Sequence, residues 1–129
     1  MLRPRALDHV GLKVRDMDRS LRFYCEALGL ELLRRRDRGG GVTSAVLRVG
    51  SQELNVFSRA DFSVSPRDDD PAGLDHFCLE IEAASVDAVI ADLGTAGVAI
   101  AQGPVTRSDG TSLFVDDPDG CRVELIVKC

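Results

Sequence analysis

Leu7-Asp8-His9-Val10-Gly11-Leu12-Lys13-Val14 recurs as Leu74-Asp75-His76-Phe77-Cys78-Leu79-Glu80-Ile81, an offset of 67 (76 minus 9). Leu-Asp-His is identical in the two copies, and the apolar residues behind it alternate in the same phase. Alternation with a period of two marks a strand with one buried face. Repetition over this distance marks a duplicated supersecondary unit, and it sets how the rest of the chain is read.

A helical pattern follows each copy. Met17, Leu21, Tyr24 and Leu28 stand at spacings of 4, 3 and 4, with Asp16 or Asp18 as N-cap and Gly29 as terminator. Val86, Val89, Ile90 and Leu93 repeat the pattern between Ser85 and Gly97. Three strands are then predicted in each half: 30–33, 42–49 and 53–57 in the first, 98–101, 111–115 and 122–127 in the second. Gly50-Ser51-Gln52 and Asp117-Pro118-Asp119-Gly120 supply the last turn of each set. Each half therefore reads βαβββ, over residues 7–58 and 74–128. Residues 59–73, with Asp68-Asp69-Asp70-Pro71, form a solvated connector. The fold class is α+β. At about 60 residues neither half buries its own sheet face well, so the two should pair as one domain over residues 1–129.

Composition narrows the function. A net charge of −5 (16 basic minus 21 acidic) argues against nonspecific nucleic-acid or anionic-membrane binding, which want a basic face. Cys25, Cys78, Cys121 and Cys129 show no zinc-ribbon spacing. No apolar run approaches the ~18 residues of a membrane span, and the first residues lack the apolar core of a signal peptide. The expectation is a cytoplasmic protein with reduced thiols. With only two histidines, chemistry that needs three imidazoles is excluded.

Strand alternation sets His9, Gly11 and Lys13 on one face, opposite Val10, Leu12 and Val14. His76 and Cys78 share a face in the copy. Glu53, Asn55 and Phe57 oppose Leu54 and Val56, and Arg122, Glu124 and Ile126 oppose Val123, Leu125 and Val127. Each half thus has a His on its first strand and a Glu on its last, away from the apolar packing. Duplication is expected to map His9 onto His76 and Glu53 onto Glu124, at an offset of 71 (124 minus 53). A strand histidine is often a hydrogen-bonded packing residue. Its symmetric repetition beside symmetric carboxylates favours a divalent-metal site, and imidazole with carboxylate suits Zn²⁺, Ni²⁺, Fe²⁺ or Mn²⁺.

Three motifs add a family resemblance: Asp8-His9-Val10 opening a strand, Phe23-Tyr24 before Leu28-Gly29-Leu30, and Asp117-Pro118-Asp119-Gly120 before Val123-Glu124-Leu125. Together they resemble the vicinal oxygen chelate superfamily of glyoxalase I, fosfomycin-resistance enzymes, extradiol dioxygenases and bleomycin-resistance proteins. The resemblance implies two paired βαβββ modules forming a metal-binding cup. It implies a divalent metal on His9, His76 and Glu124, with Glu53 as fourth ligand in the glyoxalase-type arrangement. It also implies a small-molecule substrate, and chains of this size and pattern are expected to form homodimers. Lys13, Asn55, Phe57, Phe114 and Arg122 are the candidate substrate-binding residues.

Among the branches, glyoxalase I is the most similar through Gly103-Pro104-Val105 and the run from Phe114 to Ile126. Lyase or isomerase chemistry is implied, with Glu124 or Glu53 moving the proton. Extradiol dioxygenases use further histidines that this chain lacks, and bleomycin-type binders usually dispense with the metal ligands. Two departures weigh against glutathione as cosubstrate. Lys13 stands where glyoxalase I commonly has a guanidinium clamp, and Phe57 stands where it has an Asn. A related group of small glyoxalase-domain proteins resembles this chain at least as well, and shares Gly50-x-Gln52-x-x-Asn55 with it. Arg34-Arg35-Arg36 and Arg38 read as a solvated strand end and loop rather than an anion guide, and Gly39-Gly40-Gly41 as a flexible hairpin turn or lid.

Overall fold

The computed structural model describes residues 1, 3–61 and 74–129. The acidic run of the connector lies outside the described residues. The chain divides into two compact units, one built on each half of the repeat.

In the first unit β1 (His9–Val14), β2 (Glu31–Gly39), β3 (Val42–Val49) and β4 (Gln52–Ser58) form a four-stranded sheet in the order β1-β4-β3-β2. β1 runs parallel to β4, and the other pairs are antiparallel. Leu12 and Val14, Leu54 and Val56, and Ala45 and Leu47 occupy one face and are all buried. Burying side chains of this kind contributes roughly 1.5–3 kcal/mol each. Helix α1 (Met17–Leu21) is capped by Asp16, whose side chain accepts from the Arg19 amide at 3.0 Å, so Asp16 rather than Asp18 opens it. The helix then widens into π-type turns over Arg22–Ala27, and Gly29 leaves with φ +82°. Phe23 and Tyr24 meet edge to face at 4.9 Å in its buried side. β2 extends to Gly39, six residues beyond the predicted stop at 33, so the arginine run is strand. Gly39, Gly40 and Gly41 all take positive φ in the hairpin turn.

The second unit repeats the plan. β5 (Phe77–Glu80), β6 (Ile100–Arg107), β7 (Gly110–Asp116) and β8 (Arg122–Lys128) form a sheet in the order β5-β8-β7-β6. β5 is parallel to β8. Leu79, Leu113, Val115, Val123 and Leu125 are buried on one face. Helix α2 (Val86–Thr95) begins at Ser85, whose Oγ accepts from the Ala88 amide at 3.2 Å, and buries Val89 and Leu93. The turn before β8 is held by Asp117, whose Oδ1 accepts from the amides of Asp119 (2.9 Å) and Cys121 (2.8 Å). No helix among the described residues is long and apolar enough to cross a membrane. The four cysteines are free thiols.

Candidate metal centre

β5 and β8 bring two of the expected ligands together. His76 precedes β5, and Glu124 lies in β8, where its ladder partner is Cys78. His76 Nε2 stands 2.9 Å from Glu124 Oε2, and Nδ1 of the same ring donates to Asp75 Oδ2 at 2.7 Å. A carboxylate on Nδ1 fixes ring orientation and directs Nε2 at a prospective cation. Phe114 packs on the imidazole in a T-shaped arrangement, at a centroid distance of 5.8 Å.

Glu124 is buried, 6% exposed, and both of its oxygens are engaged. Ser112, with no exposure, donates from Oγ to Glu124 Oε1 at 2.6 Å. Arg107 Nε donates to the same Ser112 Oγ at 3.1 Å and lies 3.2 Å from Oε1. Burial pushes the Glu124 carboxyl up. The Ser112 bond, the Arg107 charge and His76 together outweigh that and hold it below its ordinary value. A buried carboxylate kept ionised, with Oε1 pinned and Oε2 beside an imidazole, is a fitting pair of donors for a divalent ion. Neighbouring Cys78 behaves oppositely. Partial burial, then the Glu124 charge, pushes its thiol up to about 11.

The first unit matches the histidine half of this arrangement. His9 Nδ1 donates to Asp8 Oδ2 at 2.8 Å, as His76 does to Asp75. Both aspartates were legible in the repeated Leu-Asp-His, yet sequence reasoning gave them no role.

The carboxylate half requires a correction. In the first sheet His9 pairs with Glu53 and Gly11 with Asn55; in the second, Cys78 pairs with Glu124. Cys78 is the counterpart of Gly11, 67 residues on (78 minus 11), so the counterpart of Glu124 is Asn55, at an offset of 69 (124 minus 55). Glu53 is displaced by two residues, roughly 6.5 Å along the strand. A two-residue slip leaves a side chain on the same face, so alternation alone does not detect it. Asn55 Oδ1 is buried and has no hydrogen-bond partner. At this position the first half therefore presents an unsatisfied amide oxygen where the second presents a carboxylate.

Among the described residues, no three His, Cys, Asp or Glu side chains cluster closely enough to hold a metal ion. Of the candidate substrate residues, Lys13 and Phe57 are exposed ladder partners on the face of His9. Phe114 is buried against His76. Arg122 is tied to Asp116, Nε to Oδ1 at 2.6 Å, and that bond raises its already high pKa.

Comparison with known proteins follows the same lines. The profile of the Glyoxalase/Bleomycin resistance protein/Dioxygenase superfamily matches residues 6–125. A "Probable lactoylglutathione lyase, chloroplastic" of Arabidopsis thaliana is 34% identical over 128 residues, covering 96% of this chain and 36% of that protein. A "Probable lactoylglutathione lyase" of Synechocystis sp. is 31% identical over 122 residues, covering 92% of each. The chain thus spans about a third of the plant relative and nearly all of the cyanobacterial one. The crystal structure of a glyoxalase family protein from Enterococcus faecalis superposes with a TM-score of 0.81 at 29% identity, covering 95% of this chain and 97% of that one.

Proposed function

Because the chain belongs to the Glyoxalase/Bleomycin resistance protein/Dioxygenase superfamily, we propose that it is a metal-dependent enzyme of glyoxalase type. It performs lyase or isomerase chemistry on a small molecule that offers adjacent oxygens to a divalent cation. The observation that carries this reading is the His76–Glu124 pair, backed by Asp75 on one side and by Ser112 and Arg107 on the other. Pairing is what any buried carboxylate requires; what packing does not call for is a carboxylate at this buried strand position, with Oε2 set beside an imidazole that is itself oriented by Asp75.

His9, His76 and Glu124 are the residues that would hold the ion, with Zn²⁺, Ni²⁺, Fe²⁺ or Mn²⁺ suited to the donors. When bound, the ion supplies Lewis acidity toward the substrate oxygens. With Oε1 kept in place by Ser112 and Arg107, Oε2 is the oxygen of Glu124 that would face the ion, and it would accept and return a proton only when partly released from it. Phe114 limits water at the imidazole, and Lys13 and Phe57 contact substrate from the exposed face beside His9. Glu53, beside His9, receives no metal bond in this proposal.

Asn55 favours a second reading. With a neutral amide in place of a second carboxylate, the site is short of a spare base, which suits a protein that binds its small molecule without turnover. One pair of measurements separates the two. Methylglyoxal and glutathione, added to Ni²⁺- or Zn²⁺-loaded protein, should give the thioester absorbance of the glyoxalase I reaction. Absence of that signal with either metal rejects glyoxalase I. Substoichiometric metal after purification, with ligand affinity indifferent to chelator, rejects the enzyme reading altogether.

A further inference from the structure

The Arg107–Ser112 clasp on Glu124 has a counterpart in the first unit. Arg38 Nε donates to Ser44 Oγ at 2.9 Å, as Arg107 Nε does to Ser112 Oγ at 3.1 Å. The offsets, 69 for the arginines (107 minus 38) and 68 for the serines (112 minus 44), belong to the same duplication as Asn55 and Glu124. Arg38 falls in the register shift between Asp37 and Gly39. A bulge of this kind re-aims a side chain, here onto the face that carries His9 and Asn55. Directly paired residues share a face, which sets Ser44 with Phe57, and Phe57 with Asn55 two residues away in β4.

What differs is the carboxylate. In the second unit the serine hydroxyl donates to Glu124; in the first, position 55 is an amide. Among the described residues Ser44 donates to nothing, Arg38 has no acidic partner, and Asn55 Oδ1 accepts from nothing. Ser44 is only 6% exposed, so its unused donor is not simply turned to solvent. Buried polar groups are normally satisfied. One donor pair and one acceptor left open on a single face describe the outline of a ligand.

We propose that Arg38, Ser44 and Asn55 form a receptor for the carboxylate of the substrate, which fills in the first half the place that the Glu124 side chain fills in the second. Arg38 and Ser44 donate to the carboxylate oxygens, and Asn55 Oδ1 accepts from a hydroxyl on the adjacent carbon. The ligand class is a 2-hydroxycarboxylate, whose neighbouring oxygens also suit chelation. The link to chelation rests on the proposed function; the receptor itself rests on the first sheet alone.

The test uses the full, ¹⁵N-labelled chain, stripped of metal and dialysed free of chelator. Glycolate, acetate and sulfate are titrated at constant ionic strength while the Arg38 Nε–H and Asn55 side-chain amide resonances are followed. Glycolate should move both resonances saturably, and acetate only that of Arg38. Arg38→Met, at an exposed position where changes in the free spectrum should stay local to Ser44 and its neighbours, should weaken glycolate by about tenfold or more, as loss of a charge-assisted hydrogen bond implies. Ser44→Ala should weaken it less. Equal glycolate affinity in Arg38→Met, no saturable shift, or equal response to sulfate overturns the receptor, the last showing an adventitious ion only. Metal content of the same preparation before stripping is read separately, so a failed receptor with full metal leaves the proposed function standing, and the reverse also holds.

Discussion

Replacing Ser112 by Ala removes one oxygen that makes two hydrogen bonds, to Glu124 Oε1 at 2.6 Å and from Arg107 Nε at 3.1 Å. The residue is fully buried and Glu124 nearly so, so water does not readily substitute. A hydrogen bond to a charged acceptor contributes about 1.5–3 kcal/mol, and leaving such an acceptor short costs toward the upper end. Arg107 Nε, already 3.2 Å from Oε1, can close part of the gap. The expected loss is therefore about 1–2 kcal/mol, read as a fall in urea midpoint without change in slope. Ser44→Ala is the internal control. It removes a bond between a hydroxyl and an exposed arginine with no carboxylate behind it, and should cost less than about 1 kcal/mol. The pH dependence has a definite sign. The depressed Glu124 pKa contributes stability above its ordinary value of 4.5, lost as pH falls through the lower folded-state value. Without the Ser112 bond the folded-state value rises, so the acid limb of the stability curve of Ser112→Ala should flatten relative to wild type. If Ser112→Ala and Ser44→Ala are equally stable, and their acid limbs coincide with wild type, Ser112 is packing and does not position Glu124.

Three further outcomes are expected. Ser85→Ala removes the cap of α2 and should cost about 1 kcal/mol in chemical denaturation, with Ser85→Gly milder. Gly110→Ala puts a Cβ against the backbone carbonyl oxygen of Val127, which no side-chain rotation relieves, and should cost at least about 2 kcal/mol in the same assay. Cys78 is exposed but its thiol titrates near 11, so alkylation by iodoacetamide, followed by mass spectrometry, should be slow at pH 8 and rise with a midpoint well above 9. Its contribution to stability is present below its ordinary 9.0 and is lost as pH rises toward 11.

Much of this was legible from period-two alternation. The split between Leu54 and Val56 on the one hand and Glu53, Asn55 and Phe57 on the other reproduces the buried and unburied sides of β4, and β3 spans Val42–Val49 as predicted. The same rule failed where its period hides an error. Glu53 and Asn55 lie on one face, and only the ladder partners His9 and Gly11 show which of them matches Glu124. The wide turns over Arg22–Ala27 were invisible because apolar spacings of 4, 3 and 4 fit an ordinary helix as well. Ser112 and Arg107 carried no distinctive pattern singly. Their pairing with Ser44 and Arg38 was present in the repeat, but short polar residues in strands diverge too easily to be aligned without the fold. Strand β2 ran long because Arg34, Arg35 and Arg36 line an edge strand, where charged side chains are at home.

Whether His76 and Glu124 hold a metal is decided by the metal content of chain purified without added metal, measured by plasma mass spectrometry for wild type, Glu124→Gln and Glu53→Gln. Near-stoichiometric divalent metal is expected in wild type and Glu53→Gln, and its loss in Glu124→Gln. Loss in Glu53→Gln to the same degree, or retention in Glu124→Gln, would contradict that assignment.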